Sequence, residues 1–303
     1  MTALRLHALG AAPRAEQVPV PSPAAGEVLV RMTASVVGHH DLGVIAGTLP
    51  HAPPPFVPGL EGAGRVTALG EDVDGELAVG TPVRVVARAL RAGTWAEYVV
   101  APPTALLPLP EALDPALAAA SGTVSLTAWA ALDLGSLEPG QSLGVTGATG
   151  AVGSLAVQLA VRRGVERIVA WTRHPGGLPT GVEHATDDHP PEQLDLLVDT
   201  VGGELLPRRL HAVRPGGRAV LVGYTAGEIV CFELPALLVA DVSLLPLNMM
   251  RRRVPREVAL ELLDDFAAGR LQLATDVVDL DGLDDALTRL RDGRAAGRVV
   301  LRW

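Results

Sequence analysis

The stretch Ser142-Leu143-Gly144-Val145-Thr146-Gly147-Ala148-Thr149-Gly150-Ala151-Val152-Gly153 constrains this chain more than any other. A short apolar run meets a turn of small residues, and a helical pattern continues over 154–163. Ala148, Gly150 and Gly153 set out an A-x-G-x-x-G spacing. With no bulky side chain in the way, backbone N–H groups at the helix start can approach a pyrophosphate, whose charge the helix dipole favours. The pattern is that of a dinucleotide-binding turn, and it commits the segment to strand, turn and helix. Such a turn ordinarily opens its domain. Here a long segment precedes it, and that segment needs a fold of its own.

The chain has 303 residues, 48% of them hydrophobic, enough to bury a large core in two domains. Its 33 glycines and 25 prolines suit a turn-rich globular protein rather than a disordered one. A net charge of −9 argues against nucleic acid or an anionic membrane as a partner. The apolar region 229–250 is interrupted by Glu233, Pro235, Asp241 and Pro246, too often for a simple membrane-spanning helix. The first ten residues include Arg5 and His7 and do not read as a signal peptide. Cys231 is the one cysteine, which excludes an internal disulfide and cysteine-rich zinc sites, so a cytoplasmic address is expected. All 25 basic residues are arginine. Without lysine there is no Schiff base, no P-loop lysine and no Tyr-Lys proton relay.

Short β candidates at 27–37, 64–69, 83–88 and 95–100 dominate the first part, with Gly and Pro at 51–59, 80–82 and 101–110 between them. Asp114 then reads as a helix N-cap with Pro115 in the first turn, and 125–134 as a second helix. Strands follow at 142–146, 167–172, 195–199 and 218–223, with helices at 151–163, 204–213 and 256–268. Apolar strands alternating with helices specify a doubly wound parallel sheet, an α/β architecture. The tail reads as strand, helix (283–290) and strand (297–302). It need not belong to the nucleotide domain.

The end of the second strand, where an acid for the ribose hydroxyls would stand, reads Trp171-Thr172-Arg173-His174. No acid is present. Thr172 and Arg173 suit a 2′-phosphate; the alternative is a solvated loop arginine. On the first reading the cofactor is NADPH rather than NADH. The cofactor-binding set is Thr146, Ala148, Thr149, Gly150, Ala151, Val152, Thr172, Arg173, Thr200, Val201, Gly223, Tyr224 and Asn248. Asp199 reads either as a ligand or as the cap of its turn. Asn248 reads either against the nicotinamide edge or as a turn residue.

These segments together resemble the medium-chain dehydrogenase/reductases, and within them the zinc-independent quinone oxidoreductase and enoyl reductase branch. The landmarks are Gly26-Glu27-Val28-Leu29-Val30, Pro58-Gly59-Leu60-Glu61-Gly62-Ala63-Gly64, Gly93-Thr94-Trp95-Ala96-Glu97-Tyr98, Leu126-Thr127-Ala128-Trp129, the glycine turn, Asp199-Thr200-Val201-Gly202-Gly203 and Gly297-Arg298-Val299-Val300-Leu301. The resemblance implies a GroES-like β-rich domain from 1–113 and 271–303, with a Rossmann domain, 114–270, inserted. Zinc relatives carry a cysteine where this chain has Gly38 and a histidine where it has Leu60. His39 and Glu61 alone would make a poor site, so no metal is expected.

What the resemblance implies without a metal is hydride delivery from NADPH to a quinone or an electron-poor C=C of an enone, enal or enoyl group. His39 and His40 are the candidate proton donors or oxyanion-stabilising groups. Thr127 resembles the family's small hydroxyl near the nicotinamide. Two positions depart from the pattern: Leu49 stands where enoyl reductases place a tyrosine, and Gly38 where many quinone reductases have an asparagine. Asp188 stands where a phosphate-stacking tyrosine is common, an acid unfavourable there unless it points away or pairs with Arg173. Tyr98 reads as packing, Arg251 to Arg253 as a solvated run, and His174, His184, His189 and His211 as surface residues. Two alternatives stand beside the reductase. One is a short-chain dehydrogenase, against which the missing Tyr-x-x-x-Lys tells; the other is a nucleotide-binding protein without redox turnover. The partner expected is a small-molecule substrate, with a homodimer formed through the Rossmann sheet edge near 242–247.

Overall fold

The computed structural model describes residues 1–73, 75–86, 93–189 and 191–303. They form two units, residues 1–123 with 257–303, and residues 124–256.

The first unit begins with an antiparallel pair, β1 (Thr2–Arg5) and β2 (Arg14–Gln17). The central strand β3 (Val28–Val37) leads directly into α1 (His39–Ala46). Strands β4 (Glu61–Leu69), β5 (Pro82–Val86), β6 (Tyr98–Ala101) and β7 (Leu106–Pro108) follow. The strand expected at 83–88 thus starts one residue early, and its positions 87 and 88 lie outside the described residues. Strand β3 is held by its apolar sequence: Val28, Val30 and Met32 bury against Val66, Val83, Val85, Val99 and Leu106.

Helix α2 (Pro115–Leu134) starts as expected, with the Leu117 N–H donating to the Asp114 carboxylate at 2.9 Å. It is one helix, not two. Ser121-Gly122-Thr123 reads locally as a break, but the helix runs through it with Gly122 packed against Glu61 and Arg84. By length and composition α2 is apolar enough to cross a membrane, yet most of it is buried within the protein.

The second unit is a sheet of six parallel strands: β8 (Ser142–Thr146), β9 (Arg167–Trp171), β10 (Glu183–Ala185), β11 (Leu194–Asp199), β12 (Val213–Leu221) and β13 (Ser243–Pro246). Their order is β10-β9-β8-β11-β12-β13, so the chain reverses direction across the sheet between β8 and β11. That reversal is the topological switch point at which open α/β sheets bind ligands. Helix α3 (Ala151–Arg162) follows β8. The helix expected at 204–213 is shorter: a 3-10 turn at Gly203–Leu205, then α4 (Leu206–Leu210). Val213 instead begins β12, because it pairs with Leu194. Helix α5 (Leu234–Ala240), absent from the sequence reading, precedes β13.

The chain then returns through α6 (Arg256–Ala267), β14 (Thr275–Val278), α7 (Leu283–Arg291) and β15 (Arg298–Arg302). β15 pairs antiparallel with β3, Val299 opposite Val37, and so the two ends of the sequence share one sheet. Leu283, Leu287 and Leu290 pack with Leu6, Val37, Ile45 and Trp95 around that junction. The result is the GroES-like unit with a Rossmann-type sheet inserted in its sequence.

Candidate functional site

In the second unit the glycine turn is shaped by space as well as by backbone angle. Gly147 has φ +61°, and a Cβ there would lie 2.5 Å from Thr200 Oγ1. The Gly150 N–H donates to the Gly147 carbonyl at 2.8 Å, closing the turn. A Cβ on Gly153 would lie 2.2 Å from the Gly147 oxygen. Gly150 is the N-cap of α3, and no side chain caps that end. The leading N–H groups of a helix have no partner within it, so Ala151, Val152 and Gly153 present donors to an anion. This cradle fits a pyrophosphate.

Asp199 braces the switch point. Its carboxylate accepts from the Thr146 hydroxyl at 2.7 Å and the Gly202 N–H at 2.8 Å. The Thr200 N–H donates to Thr146 Oγ1 at 2.9 Å, and the Thr200 hydroxyl to the Thr146 carbonyl at 2.7 Å. Asp199 and Thr146 are both fully buried, and burial pushes the Asp199 carboxyl above the usual range. Asp199 is therefore the cap of its turn, and the Thr146 hydroxyl is committed to tying β8 to β11. Val201 is half-buried, and Ala148 is buried under the turn. Beside them a Cβ on Gly223 would lie 2.0 Å from the Thr200 carbonyl oxygen.

At the end of β9 the Thr149 and Thr172 hydroxyls meet at 2.5 Å, and the His174 N–H donates to Thr172 Oγ1 at 3.1 Å. Arg173 is exposed and has no ion pair among the described residues. Asp188 is exposed. Its neighbour Asp187 accepts two hydrogen bonds, at 3.0 and 3.2 Å, from the buried Arg209, so that acid is neutralised by a residue other than Arg173. Tyr224 is exposed. Asn248 makes a turn: its side-chain oxygen accepts from the Met250 N–H at 2.9 Å. Arg252 of the basic run pairs with Asp133, while Arg251 and Arg253 are exposed. Thr127 is buried on α2.

In the first unit the His39-His40 pair opens α1. The Asp41 carboxylate reaches back to accept from the Gly38 N–H at 2.8 Å, which fixes the helix start. Both histidines are exposed. Partial desolvation and then the Arg298 charge hold the His39 pKa below the ordinary imidazole range. Leu49 folds back on α1, within 2.7 Å of where a Cβ on Gly43 would stand.

Around this helix start lies a cluster of buried charges. Glu61, fully buried, accepts from Arg298 Nη2 at 2.7 Å with one oxygen. Its other oxygen accepts from the Thr123 N–H at 2.7 Å and the Thr123 hydroxyl at 2.8 Å. Arg84 is buried beside it, with a buried Nε that has no acceptor. Asp41 is buried too: desolvation pushes its carboxyl up to about 7, the Glu61 charge adding to the shift, against the Gly38 N–H and Arg298. A Cβ on Gly38 would sit 3.0 Å from Arg298 Nη1. The sequence reading assigned no role to Arg84 or Arg298. The available signal was a charge inside an apolar strand, in Pro82-Val83-Arg84-Val85-Val86 and in Arg298-Val299-Val300-Leu301.

This donor set does not fit a zinc ion. Both Glu61 oxygens are occupied by protein donors, and Gly38 and Leu60 offer no ligand atoms. Among the described residues no group of three or more His, Cys, Asp or Glu is arranged to hold a metal.

Comparison with known proteins adds the wider setting. Residues 24–111 match the alcohol dehydrogenase GroES-like domain family, and residues 180–301 the zinc-binding dehydrogenase family. The chain is 28% identical to an alcohol dehydrogenase of a Moraxella species, over 100% of this chain and 99% of that protein. It is 27% identical to prostaglandin reductase-3 of Mus musculus, over 93% and 83% of the two chains. Identity to the Homo sapiens synaptic vesicle membrane protein VAT-1 homolog is 34%, over 67% of this chain and 55% of that protein. Among solved structures, AibC superposes with a TM-score of 0.87 at 26% identity, over 100% of this chain and 95% of the other. A cobalt- and zinc-bound thermostable alcohol dehydrogenase from Pyrobaculum aerophilum follows at 0.84 and 26%, over 100% and 99%. A quinone oxidoreductase from Coxiella burnetii shares the fold, with a TM-score of 0.85 at 21% identity over 100% and 99%.

Proposed function

The chain belongs to the medium-chain dehydrogenase/reductase superfamily and is an oxidoreductase, and on that premise we propose that it is an NADPH-dependent, zinc-independent reductase of a quinone or an activated C=C. The observation that carries the reading is the occupant of the place beside Gly38. There the Arg298 guanidinium, paired with buried Glu61, lies 3.0 Å from where a Cβ on Gly38 would stand, and Gly38 and Leu60 offer no ligand atom for zinc.

Bound nicotinamide supplies the hydride. The N–H groups of Ala151, Val152 and Gly153 hold the pyrophosphate, and Gly147 and Gly150 keep side chains out of its way. Thr172 and Arg173 bind the 2′-phosphate, for which the unpaired Arg173 is a ready partner. His39, with its pKa lowered, is neutral at pH 7. In that form it donates a hydrogen bond to a developing oxygen rather than delivering a proton as imidazolium. Proton delivery then falls to water or to His40. The reading includes a cytoplasmic setting, consistent with a lone, exposed Cys231 thiol.

The test is oxidation of NADPH and of NADH, followed by the loss of nicotinamide absorbance, against phenanthrenequinone, benzoquinone and crotonaldehyde. Turnover on a quinone or the enal, faster with NADPH, supports the reading. Tight NADPH binding with no turnover on any of the three supports the alternative of a nucleotide-binding protein without redox turnover instead.

A further inference from the structure

We infer that His184 belongs to the 2′-phosphate site with Thr172 and Arg173, as a second basic group whose protonation tightens the hold on a phosphorylated cofactor. This rests on the NADPH reading and names how that same site responds to pH.

Strand β10 is an edge of the second unit's sheet, paired with β9 so that His184 stands opposite Ala170. Trp171 and Ala185 pack together in the core. By the two-residue alternation of strands, Ala170, Thr172 and His184 turn to the other face. There the Thr149 hydroxyl of the glycine turn meets the Thr172 hydroxyl. His184 Nε2 lies 3.2 Å from the Thr172 carbonyl oxygen, in the peptide unit that leads into Arg173. A carbonyl only accepts, so Nε2 donates and the neutral ring keeps its lone pair on Nδ1. His184 is exposed, and its Nδ1 has no partner among the described residues. Taking up a proton turns Nδ1 into a donor while the tie to Thr172 stays.

The charges on the surrounding segments give that proton its weight. Glu183 of β10 is taken up by Arg167 of β9, with contacts at 2.8, 2.9 and 3.1 Å, and Asp187 by Arg209. Arg173 and His174 follow β9, and Asp188 and His189 follow β10, all four exposed. Arg173 and Asp188 make no ion pair among the described residues and offset each other in charge, so the histidines set the balance. A phosphate monoester carries about −1.5 to −2 charges near pH 7, more than Arg173 alone neutralises. Of the three histidines, His184 is the one whose ring is anchored. Those of His174 and His189 make no hydrogen bond among the described residues. Imidazole is the side chain that ordinarily titrates close to neutrality, so the site gains charge as pH falls.

The test is calorimetric titration of adenosine 2′,5′-bisphosphate and of 5′-AMP, which differ by the 2′-phosphate, at pH 6 and pH 8. The phosphate itself takes up a proton near pH ~6, so each variant is compared with wild type at the same pH. His184→Gln keeps an amide donor for the Thr172 carbonyl but cannot titrate. It should bind the bisphosphate as wild type does at pH 8 and about fivefold more weakly at pH 6, one charge-assisted contact at an exposed site. Its affinity for 5′-AMP should not change at either pH, and His174→Gln should match wild type throughout. Equal affinities of wild type and His184→Gln at pH 6 would overturn the assignment. So would the same loss at both pH values, or a loss at pH 6 that follows His174→Gln instead. Arg173→Ala separates the two levels. Should it bind the bisphosphate as well as wild type does, the 2′-phosphate reading itself fails; should it weaken binding while His184→Gln does not, only His184 is removed.

Discussion

Asp41 shows how burial turns a common side chain into a pH-sensitive one. An exposed aspartate ionises near pH ~4, whereas burial raises this carboxyl to about 7. Between those values the folded state holds a proton that the unfolded state has released. Stability from this group is therefore greatest at the acid end and falls as pH rises toward 7. The charged groups acting on it are Arg298 and Glu61, and the lowered pKa of His39, two residues away in sequence, gives a dependence of opposite sign below neutrality. Comparison with Asp41→Asn cancels that term. The melting temperature of Asp41→Asn should gain on wild type between pH 5 and pH 8, by thermal denaturation; parallel curves would contradict the assignment. Arg173 carries a second expectation at this scale. Arg173→Ala should weaken NADPH by about tenfold, one lost charge-assisted contact, and leave NADH nearly unchanged in equilibrium titrations. Equal losses for both would end the 2′-phosphate assignment.

The glycine turn is an element whose sequence and geometry agree residue by residue. Strand 142–146 occurs as read, and α3 starts at Ala151 because Gly147 and Gly153 let the backbone fold against itself. A methyl group at Gly153 would meet the Gly147 carbonyl, a backbone atom that cannot swing aside. Gly153→Ala is thus expected to cost about 1–3 kcal/mol of stability, the range for overpacking. It should also raise the NADPH Kd, measured by titration alongside thermal unfolding. Helix α2 shows the opposite case. Ser121-Gly122-Thr123 breaks the local helical pattern, but Gly122 makes room for Glu61 and Arg84, and Thr123 donates to Glu61. A glycine that looks like a stop is there for a packing reason, which no window of neighbouring residues could reveal.

At the scale of the whole molecule, β13 pairs among the described residues with β12 alone, which leaves it an edge strand of the second unit's sheet. Close by in sequence, α5 exposes Leu234, Leu238 and Val239, at 63%, 70% and 83%. Such a surface is best explained by self-association, and a homodimer through residues 242–247 is the proposal. Light scattering at micromolar concentration should report twice the chain mass, and Leu238→Glu with Val239→Glu should shift it toward the monomer without lowering the melting temperature. A monomeric wild type would refute the dimer.

Local patterns, then, were enough for much of this protein. Alternating apolar strands and helices declared the parallel sheet, the glycine spacing declared the cradle, and the missing acid after Trp171 singled out Arg173. Short elements with little periodicity, such as β1, β2, α1 and α5, were not legible, since propensity over a few residues is weak and tertiary contacts decide. The buried ion cluster is the clearest case. Glu61 and Arg298 lie 237 residues apart in sequence and 2.7 Å apart in space. The sequence alone determined that a nucleotide-type turn exists and that zinc ligands are missing at Gly38 and Leu60. Only the tertiary structure, by pairing β15 with β3, decided which cation stands beside Gly38, because burial and pairing of charge are properties of the folded sheet and not of any stretch of chain.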